Sequence, residues 1–240
     1  MPVFQLTDDL LFPPPELARD DGLLAVGGDL SEERLLLAYS LGIFPWFAEG
    51  DPILWWAPDP RLVLFPADLK ISKRLARTIR QNKFTVTMDT AFSAVINNCA
   101  HIRIKNGEET WITEDMKEAY CKLHELGYAH SVECWQDNTL VGGIYGIALG
   151  AAFFGESMFS KVTDSSKVAL VFLAQQLTAW NFDFIDCQVR TEHLVRLGAK
   201  EITGESFYAL LKKSIDKPGR LNKWQQPPYA HNNTITQIRP

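Results

Sequence analysis

The chain has 240 residues, 46% hydrophobic and 22% charged. That composition is globular, excludes a disordered or fibrous protein, and allows one large domain or two small ones. The formal net charge of −5 is unevenly spread: residues 1–69 carry 12 acids and 3 bases (net −9), whereas residues 70–240 carry 17 acids and 21 bases (net +4). An acidic chain therefore leaves room for a local basic face. The four cysteines (Cys99, Cys121, Cys134, Cys187) stand singly, with no CxxC pair and no adjoining His cluster. Reduced thiols in a cytosolic protein fit that pattern better than a disulfide frame or a zinc site. The N-terminal MPVFQLTDDLLFPPPEL lacks a basic n-region, and no run approaches the roughly 18 apolar residues of a membrane span. A soluble, cytoplasmic protein is expected, and nothing in the sequence demands more than a monomer.

In chain order, residues 1–65 combine turn formers with aromatics: Pro13-Pro14-Pro15, Gly27-Gly28-Asp29, Phe44-Pro45-Trp46 and Trp55-Trp56-Ala57-Pro58. One helix is expected there, starting at Ser31 and stopped by Gly42, within a small domain of short strands and turns. From residue 66 a larger domain is expected to run to residue 240. Ile71, Leu75 and Ile79 recur at helical spacing, with Lys70, Lys73, Arg74 and Arg77 on the opposite side. Arg80 and Lys83 extend the run to six bases without an intervening acid. That face is either merely solvated or suited to phosphate contact. A second helix is expected over 115–126, with Met116, Ala119, Tyr120 and Leu123 on one stripe. Strands follow at 131–135, 140–149 and 151–159, then a helix at 166–180, a strand at 182–189 and short helices at 191–197 and 206–214. A polar tail follows from Lys217. This order predicts an α/β sandwich with a mostly antiparallel sheet and one parallel crossover.

Several chemistries lack their motif: no GxxxxGK[ST] loop, no GxSxG elbow, no HExxH. Gly142-Gly143-Ile144-Tyr145-Gly146 lies inside a strand, where its glycines mark a bulge or a close backbone approach. His124 and His130 are expected as satisfied structural residues. What remains are polar residues in apolar strands. Glu156 lies within FFGESMF and needs a partner there. Asp186 and Gln188, at i, i+2 on the expected strand, would share one face. A carboxylate can orient the amide, whose oxygen can accept a proton from an amine; the bland alternative is a buried pair anchoring the sheet to a loop. Leu170, Leu173 and Leu177 line one helix face, as core or as pocket. Of seven tryptophans, Trp46, Trp55 and Trp56 lie among turn residues and Trp111 stands in TWIT. Such rings either fill a core or stack on bases, worth about 1–3 kcal/mol each.

Together LLAVGGDLS (23–31), GIFPWF (42–47), DPILWWAPDPR (51–61), TWIT (110–113), HELGYAHSVE (124–133), FFGESMFS (153–160) and IDCQV (185–189) closely resemble the leucyl/phenylalanyl-tRNA–protein transferases. The resemblance implies transfer of Leu, Phe or, less readily, Met from aminoacyl-tRNA to the N-terminal Arg or Lys of an acceptor protein, producing an N-degron. It also implies a small N-terminal domain followed by an acetyltransferase-like (GNAT) domain, an α+β arrangement. In place of the coenzyme A loop R/Q-x-x-G-x-G/A stands SKVTDSS (160–166), so neither that cofactor nor a metal is expected. By resemblance Asp186 and Gln188 are the catalytic pair, with Asp186 polarising Gln188. Glu156 would hold the cationic acceptor end, and Trp46 and Trp111 would stack on the terminal adenosine. Ile144, Leu170, Leu173, Leu177 and Ile185 would line the side-chain pocket, and Lys70, Lys73, Arg74, Arg77 and Arg80 would grip tRNA phosphates. Two other readings use the same residues: a small-molecule N-acyltransferase, and an RNA-binding module without catalysis.

Overall fold

The structure, a computed structural model, describes residues 3–105 and 110–224. Its N-terminal part is a small sheet of β1 (Phe4–Leu6), β2 (Leu23–Gly27), β3 (Phe44–Pro45) and β4 (Leu54–Trp56), in the order β1-β2-β4-β3. Helix α1 (Glu32–Ser40) joins β2 to β3, and the Ser31 side chain accepts the Arg34 N–H at its start. The next strand, β5 (Arg61–Leu64), already pairs within the second, larger sheet. The chain thus enters that sheet at Arg61, five residues ahead of the expected division at 65/66. An apolar run, RLVLF, looks the same whichever sheet receives it.

The larger sheet adds β6 (Thr85–Met88), β7 (Ala129–Gln136), β8 (Thr139–Leu149), β9 (Ala152–Ser160), β10 (Phe184–Asp186) and β11 (Lys200–Ile202). Its order is β11-β5-β10-β9-β8-β7-β6. Among the described strands of this sheet only β9 and β10 pair in parallel, and the connection between them contains a long helix, as a parallel return requires. The mostly antiparallel sheet with a single crossover is the arrangement expected from the element order.

Among the described residues the larger part carries six helices: α2 (Lys73–Arg80), α3 (Phe92–Lys105), α4 (Glu114–Glu125), α5 (Ser165–Ala179), α6 (Glu192–Arg196) and α7 (Gly204–Ile215). All four residues of the predicted α4 stripe, Met116, Ala119, Tyr120 and Leu123, are buried. They join Val95 and Ile96 of α3, Phe207 and Leu211 of α7, and Leu24, Leu35, Tyr39 and Trp55 of the N-terminal part in one apolar core. The opposite sheet face carries a second core of Leu75, Ile79, Leu173, Leu177, Phe182 and Trp224. Helix α3 and strand β6 have no counterpart among the predicted elements.

Three expectations change in detail. The cationic helix begins only at Lys73, capped by Ser72, whose Oγ takes the Leu75 N–H at 3.2 Å. Lys70 precedes it, its backbone N–H bound to Leu197 O at 2.8 Å. The strand expected at 182–189 is regular only over Phe184–Asp186; Cys187 and Gln188 still bond the Leu62 backbone at 2.9 and 3.2 Å, but Gln188 has turned to φ 53°. The polar tail is anchored: Trp224 is 4% exposed, its ring stacked on His130 at 3.7 Å and its N–H given to Asp89 at 2.6 Å. The tail beyond Trp224 lies outside the described residues.

Candidate active site

Strands β9 and β10 run together only as far as the Phe154–Asp186 pair. Beyond it β10 stops while β9 continues, so the sheet opens. A cleft of about 570 Å³ occupies the gap. On its other edge β9 meets β8 with Ser157 opposite Tyr145 and Gly155 opposite Gly146, leaving Glu156 as the extra residue of a β-bulge. Bulges bend a strand and re-aim one side chain, and here the side chain belongs to the carboxylate facing the cleft. The close approach requires glycine opposite: a Cβ on Gly146 would lie 2.1 Å from Phe154 O.

The Glu156 carboxyl is bound on both sides. Its Oε1 accepts from Gln188 Nε2 at 3.1 Å, and its Oε2 accepts from the Tyr120 hydroxyl, also at 3.1 Å. The Tyr120 hydroxyl in turn meets that of Tyr39. Burial pushes Glu156 up to about 7, against the lowering effect of the two tyrosines; Asp186 adds to the rise and Arg61 opposes it. Burial likewise holds Tyr39 and Tyr120 well above the usual phenol range, with the charge of Glu156 adding to it.

Asp186 does not polarise the Gln188 amide. Its carboxylate, wholly buried, forms a bidentate pair with Arg61, Oδ1 to Nε at 2.9 Å and Oδ2 to Nη2 at 2.7 Å. Oδ1 also accepts the Gln188 backbone N–H at 2.9 Å. The expected shared strand face fails because Gln188 has left the strand. What orients its amide is Glu156, and Asp186 instead fixes the backbone from which Gln188 projects. With Nε2 given to Glu156, the Gln188 Oε1 has no hydrogen-bond partner among the described residues. The Arg61 guanidinium lies over the rings of Phe44 and Phe207, at 4.8 and 4.7 Å from their centroids. Arg61 was not anticipated: its partner lies 125 residues away, and the only local signal is a charge beside an apolar run.

Of the expected site residues, Trp46, Trp111, Ile144, Glu156, Leu170, Ile185 and Gln188 line this one cleft. Leu173 and Leu177 do not; both are fully buried in the second core, one and two turns beyond Leu170. Met158, Val189, His193 and Leu194 are among the other residues of the wall and were not anticipated. Trp46 is 41% exposed, its ring 5.8 Å from that of Trp56, while Trp55 is core. Burial, then Lys167 and Arg196, hold His193 below the ordinary imidazole value.

The cations of α2 are exposed, together with Lys70 ahead of it. The acid-free run in sequence is not acid-free in space: Asp164 Oδ2 lies 3.8 Å from Arg74 and accepts from Thr78 at 3.2 Å, while its Oδ1 takes Lys167 at 3.2 Å. Asp164 has φ 72° and immediately precedes α5. No group of three or more His, Cys, Asp or Glu among the described residues could hold a metal ion, and no described helix is long and apolar enough to cross a membrane. His124 and His130 are structural: His124 Nδ1 meets Ala129 O at 2.7 Å and His130 Nδ1 meets Asp89 Oδ2 at 2.8 Å.

Comparison with known proteins gives a consistent answer. A family model described as leucyl/phenylalanyl-tRNA protein transferase matches residues 63–212, and a model of that family's N-terminal domain matches residues 28–59. The leucyl/phenylalanyl-tRNA–protein transferase of Syntrophobacter fumaroxidans is 58% identical over 94% of this chain and 96% of its own. That of Desulforapulum autotrophicum is 55% identical over 93% of this chain and 98% of its own. Among solved structures, a GCN5-related N-acetyltransferase from Kribbella flavida overlaps 70% of this chain and 60% of its own at 12% identity, with a TM-score of 0.36. An aminoglycoside acetyltransferase from an uncultured soil metagenomic sample overlaps 48% of this chain and 85% of its own, also at 12% identity, with a TM-score of 0.39. The mixed α/β fold, a small four-stranded sheet followed by a seven-stranded one, is seen in the strand order itself. By the two family models and by relatives that match nearly end to end, the chain belongs to the leucyl/phenylalanyl-tRNA–protein transferase family.

Proposed function

We propose that this chain transfers Leu or Phe, and Met less readily, from aminoacyl-tRNA to the N-terminal Arg or Lys of acceptor proteins, marking them for degradation in the cytoplasm. The observation that carries this reading is the cleft itself: an apolar wall of Ile144, Leu170 and Ile185 beside hydrogen-bonded Glu156 and Gln188, with Trp46 and Trp111 at its rim. The apolar wall suits an uncharged side chain, and the indoles suit the terminal adenine. Leu173 and Leu177 act on the pocket only through packing.

Aminolysis of an ester to an amide runs downhill, so the reaction needs no ATP. Gln188 Oε1 accepts a hydrogen bond from the attacking amine, and Asp186 with Arg61 holds Gln188 in place. Glu156 supplies the negative charge that a long N-terminal cation meets. Lys73, Arg74, Arg77 and Arg80, with Lys70 ahead of the helix, contact tRNA phosphates irrespective of sequence. The test is transfer of radiolabelled leucine from Leu-tRNA to two peptides differing only in an N-terminal Arg or Ala, with ribosomes, ATP and coenzyme A omitted. Label on the Arg peptide alone is the expected result. No label on either, with the Leu-tRNA intact, overturns the reading.

A further inference from the structure

Before an N-terminal ammonium group can attack an ester it must lose a proton, and an amide oxygen is too weak a base to keep one at neutral pH. The cleft holds a better acceptor. Glu156 is the bulged residue of β9, and its carboxyl adjoins the Gln188 side chain at 3.1 Å. One ammonium group can therefore donate to both. Behind the carboxyl runs a buried chain of hydroxyls, Tyr120 of α4 and then Tyr39 of α1, which reaches from the larger sheet into the N-terminal part.

We infer that Glu156 takes the proton from the acceptor's α-ammonium group, and that Tyr120, backed by Tyr39, is a positioning residue for its carboxyl. The inference rests on the aminoacyl-transfer reading above. In the step, one N–H proton passes to the Glu156 carboxylate, and the freed nitrogen lone pair attacks the ester carbonyl carbon. The C–N bond forms, the bond from that carbon to the ribose oxygen breaks, and the nitrogen's second proton goes to the departing oxygen. Glu156 then releases its proton to water as product leaves, so each turnover yields one amide, one ribose hydroxyl and one proton.

The electrostatics match the task. A free α-amino group titrates near 7.7–8.0, and burial holds Glu156 up to about 7. A base works best when its own titration lies close to the working pH. The groups facing Glu156 are Tyr39 of α1, Tyr120 of α4, Arg61 of β5, Asp186 of β10 and the Gln188 amide; Arg190 and His193 line the same cleft.

The experiment is single-turnover transfer of Phe from Phe-tRNA to a saturating Arg-initiated peptide between pH 5.5 and 8.5, corrected for ester hydrolysis. The wild-type rate should rise with pH and level off above about 7. Tyr120→Phe removes a donor to the charged carboxylate, so the rise should move upward by about one pH unit, with the rate recovering at high pH. Tyr39→Phe should move it in the same direction by less. Glu156→Gln should lower kcat by about 10²–10⁴ and leave only the later rise set by the amine's own titration near 7.7–8.0. A Glu156→Gln variant with raised KM alone, its kcat and pH dependence intact, would reduce Glu156 to a holder of the acceptor's cation with no part in the proton transfer and overturn the proposal. So would Tyr120→Phe slowing transfer equally at every pH, or a rise that moves in His193→Asn but not in Tyr120→Phe. Absence of any product from the wild type would overturn the transfer reading itself.

Discussion

Asp186→Asn is the perturbation that separates the buried ion pair from the chemistry above it. It preserves size and one acceptor oxygen for the Gln188 N–H, but strips the charge facing an Arg61 side chain that is 1% exposed. Removing one partner of a buried pair costs about 3–5 kcal/mol, because the other charge is left uncompensated. The retained amide oxygen, and the Phe44 and Phe207 faces at 4.8 and 4.7 Å, still stabilise the guanidinium. They place the loss at the lower end, about 3 kcal/mol. For a chain of this length that corresponds to a fall in Tm of roughly 6–12 °C. Urea unfolding and thermal scans measure it, alongside tRNA affinity and transfer. Transfer should fall without being abolished, since the Gln188 N–H keeps an acceptor, while tRNA affinity stays within about twofold, a change of only about 0.4 kcal/mol. The double variant Arg61→Met/Asp186→Leu should regain stability to within about 1 kcal/mol of the parent, as apolar replacement of a buried pair commonly does. It should nonetheless fail to transfer, because the Gln188 N–H has lost its acceptor. An Asp186→Asn protein that unfolds at the parent's midpoint would refute the energetic argument. Loss of tRNA affinity in parallel would refute a role at the chemical step.

Other outcomes follow from the same structure. Lys73→Ala, Arg77→Ala and Arg80→Ala should each weaken tRNA binding regardless of sequence, and each should reduce the slope of log affinity against log salt by about one. An unchanged slope would remove α2 from the interface. Trp224→Ala should cost about 3–5 kcal/mol, since it empties a site enclosed by His130, Phe153, Trp180 and Phe182; an unaltered urea midpoint would show the segment to be undocked. Glu156 titrates higher folded than unfolded, so its contribution to stability is complete below the unfolded value near 4.5 and is lost as pH rises through about 7. Glu156→Gln should therefore be more stable than the parent at pH 8, on the order of 2 kcal/mol allowing for water in the cleft, and should lose that advantage at pH 5. The difference between urea midpoints at the two pH values decides it.

The elements legible in the sequence were those with one wet and one dry side. Helix α4 declared its inner face through Met116, Ala119, Tyr120 and Leu123, and β7 to β9 declared themselves by apolar runs separated by turns. Helix α3 carries its buried residues Phe92, Val95, Ile96, Cys99 and Ala100 at i, i+3, i+4, i+7 and i+8, one stripe, so its signal was present in the sequence and the prediction passed over it. At the site, Glu156 was legible as a carboxylate in apolar company, and Gln188 through IDCQV. The error at Leu173 and Leu177 has a simple cause: a stripe reports which side of a helix faces protein, not which turn reaches a cavity. The Asp186 arrangement differs because alternation presumes a strand, and the strand expected to reach residue 189 ends three residues early, at Asp186, ahead of the left-handed Gln188. Arg61 and Trp224 depend on partners far along the chain, which no local window reports.

The guanidinium of Arg61 has a consequence for how the molecule comes apart. Its charge is shared by Phe44 of β3, Asp186 of β10 and Phe207 of α7, three segments separated by most of the chain. None can leave without exposing the other two and stranding a cation. The apolar core around them likewise runs from Leu24 to Leu211 without a seam. The N-terminal sheet and the segment after it therefore form one cooperative unit, which melts in a single transition and offers no stable fragment to a protease that cuts between them.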